Sequence, residues 1–197
     1  MASPMIQQTV MAAALSATSN VLAQLITAQR DGRAFSIDPA PVLQFVLFTA
    51  LSTPPNVLWQ EFLEEAFPGQ KKLPPPAPNP RNDEKPAKDE VKDKANDKRA
   101  GMNWWNVFVK FLLDQTVGGA VNTVLFIAGM KALNGAGSEE ITTAVRERLW
   151  PLFVAGTKLW PAVSLISFTM IPVDKRVLFG SAVGVAWGVY LSLVAAQ

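Results

Sequence analysis

The sequence predicts an all-α integral membrane bundle of four to five transmembrane helices, and three observations carry that prediction. The first is where the charge sits. The chain holds 18 basic and 16 acidic residues, and nine of the basic and six of the acidic ones fall between Lys71 and Arg99. The second is what this leaves elsewhere. No Asp, Glu, Lys or Arg occurs from Met1 to Gln29, Pro39 to Gln60, Gln115 to Met130, Leu159 to Val173 or Val177 to Gln197. A helix crossing the hydrocarbon of a bilayer needs about 20 mostly apolar residues, and three of these runs are long enough outright. The third is that the polar residues inside the uncharged runs recur every three or four positions, which puts them on one helical face.

The first segment is Met5 to Gln29, with Gln8, Ser16, Asn20 and Gln24 on one face. Arg30-Asp31-Gly32-Arg33 is a turn, and Asp38-Pro39 reads as an N-cap followed by a first-turn proline. In the second segment, Val42 to Phe62, Thr49, Ser52, Asn56 and Gln60 share a face, and Pro54-Pro55 is expected to kink the helix. Glu61, Glu64 and Glu65 mark its exit into water. Residues 68–101 form a proline-rich and then Lys/Asp/Glu-rich insertion with too little apolar content for a core, expected to be a solvated loop. It divides the chain into 1–67, holding two helices, and 102–197, holding the rest.

The third segment, Asn103 to Leu133, opens on Trp104 and Trp105 as interfacial anchors and carries Lys110, Asp114, Gly118 and Asn122 on one face. Gly135 and Gly137 end it, and Ser138-Glu139-Glu140 opens an amphipathic stretch to Leu149 with a capping signature. The fourth, Trp150 to Ile171, is interrupted by Pro151, Lys158 and Pro161 and reads as a bent span or an interfacial helix. The fifth, Val177 to Ala196, carries the stripe Gly180, Gly184, Gly188, a spacing that lets helix backbones approach closely in lipid.

The polar faces read either as the lining of a water-filled pore or as packing surfaces. Asp114 is the sharpest single residue, because an ionisable group inside a span faces the protein interior and takes a partner. Lys110, one turn earlier, and Lys158 or Arg176, from other segments, are its candidate partners. Asp114 is then either a charge in a conduction path or half of an ion pair fixing helix register. The absence of Cys and His excludes disulfides and thiolate or imidazole chemistry, whether at a metal or in catalysis. No phosphate-binding loop is present, the loop's basic residues alternate with acids, and the reading is a non-enzymatic protein with no cofactor, no metal and no nucleic-acid partner. The first basic residue is Arg30, so targeting information is expected to be internal.

The C-terminal stretch runs Trp150-Pro151-Leu152, Lys158-Leu159-Trp160-Pro161, Ser167-Phe168, Ile171-Pro172-Val173, Arg176 and Trp187-Gly188-Val189-Tyr190-Leu191-Ser192. It resembles the signature of the PMP-twenty-two / Mpv-seventeen family of small peroxisomal and mitochondrial membrane proteins. Lys110 through Asp114-Gln115, Pro54 with Trp59, and Asn20 with Gln24 resemble elements further upstream. Asn20, Ser167 and Gly188 stand where the family pattern has Asp, Asn and Asn. The resemblance implies a bundle usually described as four spans, in the mitochondrial inner membrane or the peroxisomal membrane, whereas the uncharged segments number five. It implies a channel for small hydrophilic solutes or metabolites, with Trp160, Pro161, Phe168, Pro172, Trp187 and Tyr190 as signature residues.

Together these give Asn20, Gln24, Asn56, Asp114, Gln115, Lys158 and Arg176 as candidate pore or helix-interior residues and Gly180, Gly184 and Gly188 as packing residues. The alternative function is a non-conducting membrane organiser or sorting protein that self-associates through the glycine stripe and docks a protein on the 68–101 loop. The expected partners are the lipid bilayer and a second copy of the chain.

Overall fold

A computed structural model describes residues 3–70 and 101–194, with side chains as far as residue 188. The body of the predicted insertion, 71–100, and the side chain of Tyr190 lie outside the described residues. Among the described residues there are six helices and a single isolated backbone bridge.

Helix α1 spans Pro4–Arg30, with Ser3 Oγ accepting from the Ile6 N–H at 3.4 Å and proline in its first turn. Helix α2 spans Pro39–Ala66, and Asp38 caps it by accepting from the Ala40 N–H at 3.0 Å, as the Asp-Pro pair predicts. Gln24 locks the connection between them. Its amide donates to the Asp38 carbonyl at 2.9 Å and accepts from the Asp38 N–H at 2.8 Å. Helix α2 continues as helix through Pro54 and Pro55. Each proline leaves a carbonyl one turn earlier without its N–H. Such helix-breaking residues are tolerated in membrane helices where neighbouring groups cover the freed carbonyls.

Helix α3 spans Trp104–Leu133 and contains a π-helical turn at Asp114–Gly118, where the Gly119 N–H reaches back five residues to the Asp114 carbonyl. It ends before Gly135, whose φ of +79° is the left-handed conformation that favours glycine. Helix α4 spans Ser138–Gly156 and α5 spans Trp160–Met170, bent by 57° relative to each other.

This pair corrects the sequence reading twice. Gly137, not Ser138, holds the cap position, without a side-chain cap bond. The break falls at residues 157–159 rather than between Leu149 and Trp150. Pro151 is accommodated inside α4, whereas Pro161 has no N–H for the Thr157 carbonyl. The chain there tightens into short turns, Lys158 N–H to Ala155 O at 3.3 Å and Leu159 N–H to Gly156 O at 3.1 Å. Helix α6 spans Val173–Val194.

Helices α1, α2 and α3 are each long and apolar enough to cross a membrane, and α4 with α5 adds a fourth if the bent pair is counted as one span. Helix α6 is free of charge from Val177 onward. Among the described residues this gives three candidate spans, or four with the bent pair. Two contacts set the ends of the bundle. Gln44 at the start of α2 bonds Asn134 at the end of α3. Arg176 at the start of α6 and Lys110 near the start of α3 both reach Glu64 near the end of α2. The N-terminus, the insertion and the 172–175 turn thus lie at one end, and the α1–α2 and α3–α4 turns at the other.

The outer surface is more apolar than that of a water-soluble globule. Leu43, Leu47, Leu51, Leu58 and Phe62 on α2 are each more than half exposed. The buried set includes Asn20, Thr53, Lys110, Ser164, Ser167 and Arg176. Large apolar side chains face the surroundings, and the interior is shared by polar and apolar ones. A small apolar core of Leu63, Val107 and Phe168 closes the insertion end. There Gln70 pairs with Met102, the Asn103 N–H donates to Gly69 O at 2.9 Å, and Asn106 donates to Pro68 O at 2.9 Å.

Candidate functional site

The inward faces form a half-open cavity of about 670 Å³ lined by every helix of the bundle. Along α2 its wall runs from Phe45 to Gln60, which at 1.5 Å per residue is about 22 Å of a bilayer core about 30 Å thick. Ser16, Asn20, Thr49, Asn56, Asn122 and Ser181 give the wall its polar character. Ser16 and Thr49 also bond each other at 2.9 Å, so one polar face both packs and lines.

Asp114 sits in this wall at the π-helical turn. Adjacent residues lie about 100° apart around an ordinary helix. The widened turn lets both Asp114 and Gln115 line the cavity and meet one partner, Ser164 of α5. Ser164 donates to Asp114 Oδ2 in a short hydrogen bond and accepts from Gln115 Nε2 at 2.7 Å. On the other oxygen, Asp114 Oδ1 accepts from Trp59 Nε1 at 3.3 Å and from Gln60 Nε2 at 3.1 Å. The carboxylate therefore joins α2, α3 and α5 through uncharged donors. None of its expected cationic partners bonds to it.

Those cations are used elsewhere. Glu64 Oε2 lies 2.7 Å from Lys110 Nζ and 2.7 Å from Arg176 Nη2, and its other oxygen accepts from the Gly69 N–H at 3.0 Å. Both cations rest on the Phe168 ring, Lys110 Nζ at 5.3 Å and Arg176 Cζ at 5.1 Å from its centroid. The Arg176 Nε–H donates to the Ile171 carbonyl at 3.1 Å. Lys110 is fully buried, so this cluster ties α2, α3, α5 and α6 together at the insertion end.

The structure places the sequence-derived residues unevenly. Asn20, Asn56, Asp114, Gln115 and Arg176 line the cavity. Gln24 belongs to the α1–α2 connection, where it also bonds Asn20 at 2.8 Å. Lys158 is exposed at the α4–α5 break. Of the signature residues, Trp160, Phe168 and Trp187 line the cavity, the two tryptophans meeting edge to face at 6.5 Å. Pro161 sits in the first turn of α5, and Pro172 is exposed before α6.

Gly180, Gly184 and Gly188 also line the cavity. A Cβ on Gly180 or Gly184 meets nothing within 4 Å, whereas one on Gly188 stands 2.6 Å from Ser19 Oγ. The close approach is therefore confined to Gly188. Glu64, Ser164 and Trp59 did not stand out as site residues. Glu64 read as one of three exit carboxylates, and no spacing rule connects residues 46 to 112 positions apart. The Lys110-to-Asp114 spacing suggested a local pair, which the geometry does not form.

Residues 131–192 match the Mpv17 / PMP22 family. The chain is 28% identical over 90 residues to protein SYM1 of Eremothecium gossypii, covering 46% of this chain and 50% of the relative. It is 34% identical over 85 residues to an Mpv17-like protein of Bos taurus, 43% of this chain and 42% of the relative. It is 35% identical over 88 residues to PXMP2/4 family protein 3 of Dictyostelium discoideum, 45% of this chain and 47% of the relative. The chain spans about half the length of the relatives it matches. No solved structure matches it. The matched region holds the bent α4–α5 pair, Phe168, Arg176 and the Trp160–Trp187 contact, and over that region the chain is similar to the Mpv17 / PMP22 family.

Proposed function

We propose that this protein is a non-enzymatic, pore-forming passage for small hydrophilic solutes in the mitochondrial inner membrane or the peroxisomal membrane. The observation that carries the reading is the cavity of about 670 Å³, whose mostly apolar wall carries a row of polar side chains along α2 from Thr49 to Gln60. Its volume suits a metabolite-sized solute, since small-molecule sites run from about 300 to 1,000 Å³. Asp114, held by Trp59, Gln60 and Ser164, is the fixed negative charge of the passage. The glycine stripe lines the same space, which favours a passage over an organiser that pairs through that stripe. The 68–101 excursion, whose two ends meet at Gln70 and Met102, is the proposed docking segment for a protein partner.

Purified protein in planar bilayers tests the reading. Discrete conductance is expected, and Asp114→Asn should change its size or its ion selectivity. If the wild-type protein does not conduct, the passage reading fails. If it conducts and Asp114→Asn leaves conductance and selectivity alike, the role given to Asp114 fails.

A further inference from the structure

Beside the central cavity, α3 and α4 form a second, open hollow of about 570 Å³ near the α3–α4 turn. Phe126, Ile127 and Met130 of α3 face Pro151 and Leu152 of α4 across it. Its depth in the bilayer follows from α3. Lys110 and Lys131 are 21 positions apart, about 32 Å of helix, which matches a hydrocarbon core of about 30 Å. Lys110 belongs to the charged cluster at the insertion end, so Lys131 marks the opposite boundary. Trp150 stands next to the hollow on α4, 70% exposed and stacked on Phe153 at 6.0 Å, and tryptophan is the residue that bilayer interfaces favour.

Two of the polar groups in the wall are already used. Lys131 Nζ pairs with Glu140 at 2.6 Å. Asn134 donates to the Met130 carbonyl at 2.6 Å and accepts from Gln44 at 2.9 Å. Two others are not. Glu147 and Arg148 line the hollow, are exposed, and make no side-chain hydrogen bond or ion pair with any described residue. One further acceptor is freed by the sequence. Pro151 lies inside α4 four positions after Glu147 and has no N–H for the Glu147 carbonyl. The charges balance: Lys131, Arg146 and Arg148 stand against Glu139, Glu140 and Glu147.

We propose that this hollow binds a zwitterionic phospholipid whose headgroup ends in a primary ammonium, a phosphatidylethanolamine. An acyl chain lies along the apolar wall. Arg148, with its whole fork of donors free, takes the phosphate. The ammonium carries three N–H donors, like that of lysine, and meets the Glu147 carboxylate and the carbonyl that Pro151 leaves free. A choline headgroup has no N–H for those acceptors. A headgroup with phosphate alone would leave Glu147 beside a like charge with no cation between them. The site lies at the bilayer boundary and does not depend on whether the central cavity conducts.

Dioctanoyl phospholipids added to the full chain in detergent are the probes, and the thermal midpoint is the readout. Dioctanoyl-phosphatidylethanolamine should raise the midpoint more than the choline or the glycerol lipid at the same concentration. No shift with the ethanolamine lipid would overturn the site. An equal shift with the choline lipid would overturn the ammonium contact, and an equal or larger shift with the glycerol lipid would overturn the choice of a zwitterion. Arg148→Gln should raise the half-saturating concentration of the ethanolamine lipid about tenfold, the loss of one charged hydrogen bond. Glu147→Gln should abolish the preference for ethanolamine over choline. Arg146→Gln changes an exposed residue of the same helix that does not line the hollow, and it should leave both unchanged. A loss with Arg146→Gln as large as with Arg148→Gln would show a general attraction to charge and overturn the site.

Discussion

At the residue scale, the molecule turns on two carboxylates with opposite arrangements. Asp114 is held by dipoles, and Glu64 is held by charges. Lys110 is fully buried and Arg176 nearly so, and both depend on Glu64. Breaking a buried ion pair from one side leaves the other side uncompensated, at a cost of about 3–5 kcal/mol. Glu64 keeps 29% of its side chain exposed, so Glu64→Gln should fall near the lower end, about 3 kcal/mol. Unfolding midpoints in detergent measure this. Glu65→Gln, at an exposed position one residue on, is the control and should stay within about 0.5 kcal/mol of wild type. Nothing in the order Glu61, Glu64, Glu65 separates these acids. They become different only when α3 and α6 deliver their cations to one of them.

At the scale of elements, the π-helical turn and the glycine stripe show how a helix serves packing and lining together. A regular helix would put Asp114, Gly118 and Asn122 on one stripe. The structure inserts the turn there, brings Gln115 to Ser164 and sets Gly118 against Trp59, where a Cβ would stand 3.0 Å from Nε1.

Along α6 the stripe divides into two roles, and a pair of substitutions separates them. Gly188→Leu drives side-chain atoms into Ser19 and should destabilise the α1–α6 contact by about 1–3 kcal/mol. Gly184→Leu enters open cavity and should leave the unfolding midpoint nearly unchanged while reducing solute flux in proteoliposomes. Equal loss of stability in both variants would show that the whole stripe packs. The α4–α5 break is an element-scale result as well. Two prolines stand in the region, and only the one at the start of α5 ends a helix.

At the scale of the whole molecule, the two flanks of the charged excursion meet within the described residues. The pairing of Gln70 with Met102, with Asn106 and Asn103 bonding back to Pro68 and Gly69, brings both flanks of the excursion to one place. Replacing residues 71–100 by a short Gly/Ser turn should therefore leave the thermal midpoint and the bilayer conductance at wild-type values. A protein that docks on the excursion should be lost from crosslinked membranes by the same replacement. Collapse of the fold would show that the excursion takes part in the bundle.

What the sequence determined by itself is the class of solvent and the periodicity of each helix. Uncharged runs of bilayer length admit little other than helices, because every backbone group must be satisfied internally. The three- and four-residue spacing of Asn20, Asn56 and their neighbours then says that each helix has an inward face. Local chemistry also fixed the ends at Asp38 and Gly135, where one residue's side chain or backbone freedom suffices.

The tertiary structure alone decided which partners the inward charges take. Lys110 is four residues from Asp114 in sequence yet pairs with Glu64, 46 positions away. Arg176 makes the same choice from 112 positions away. Spacing constrains neighbours on one helix. The pairing of buried charges depends on which helix ends meet, and that is set by the packing of the whole bundle.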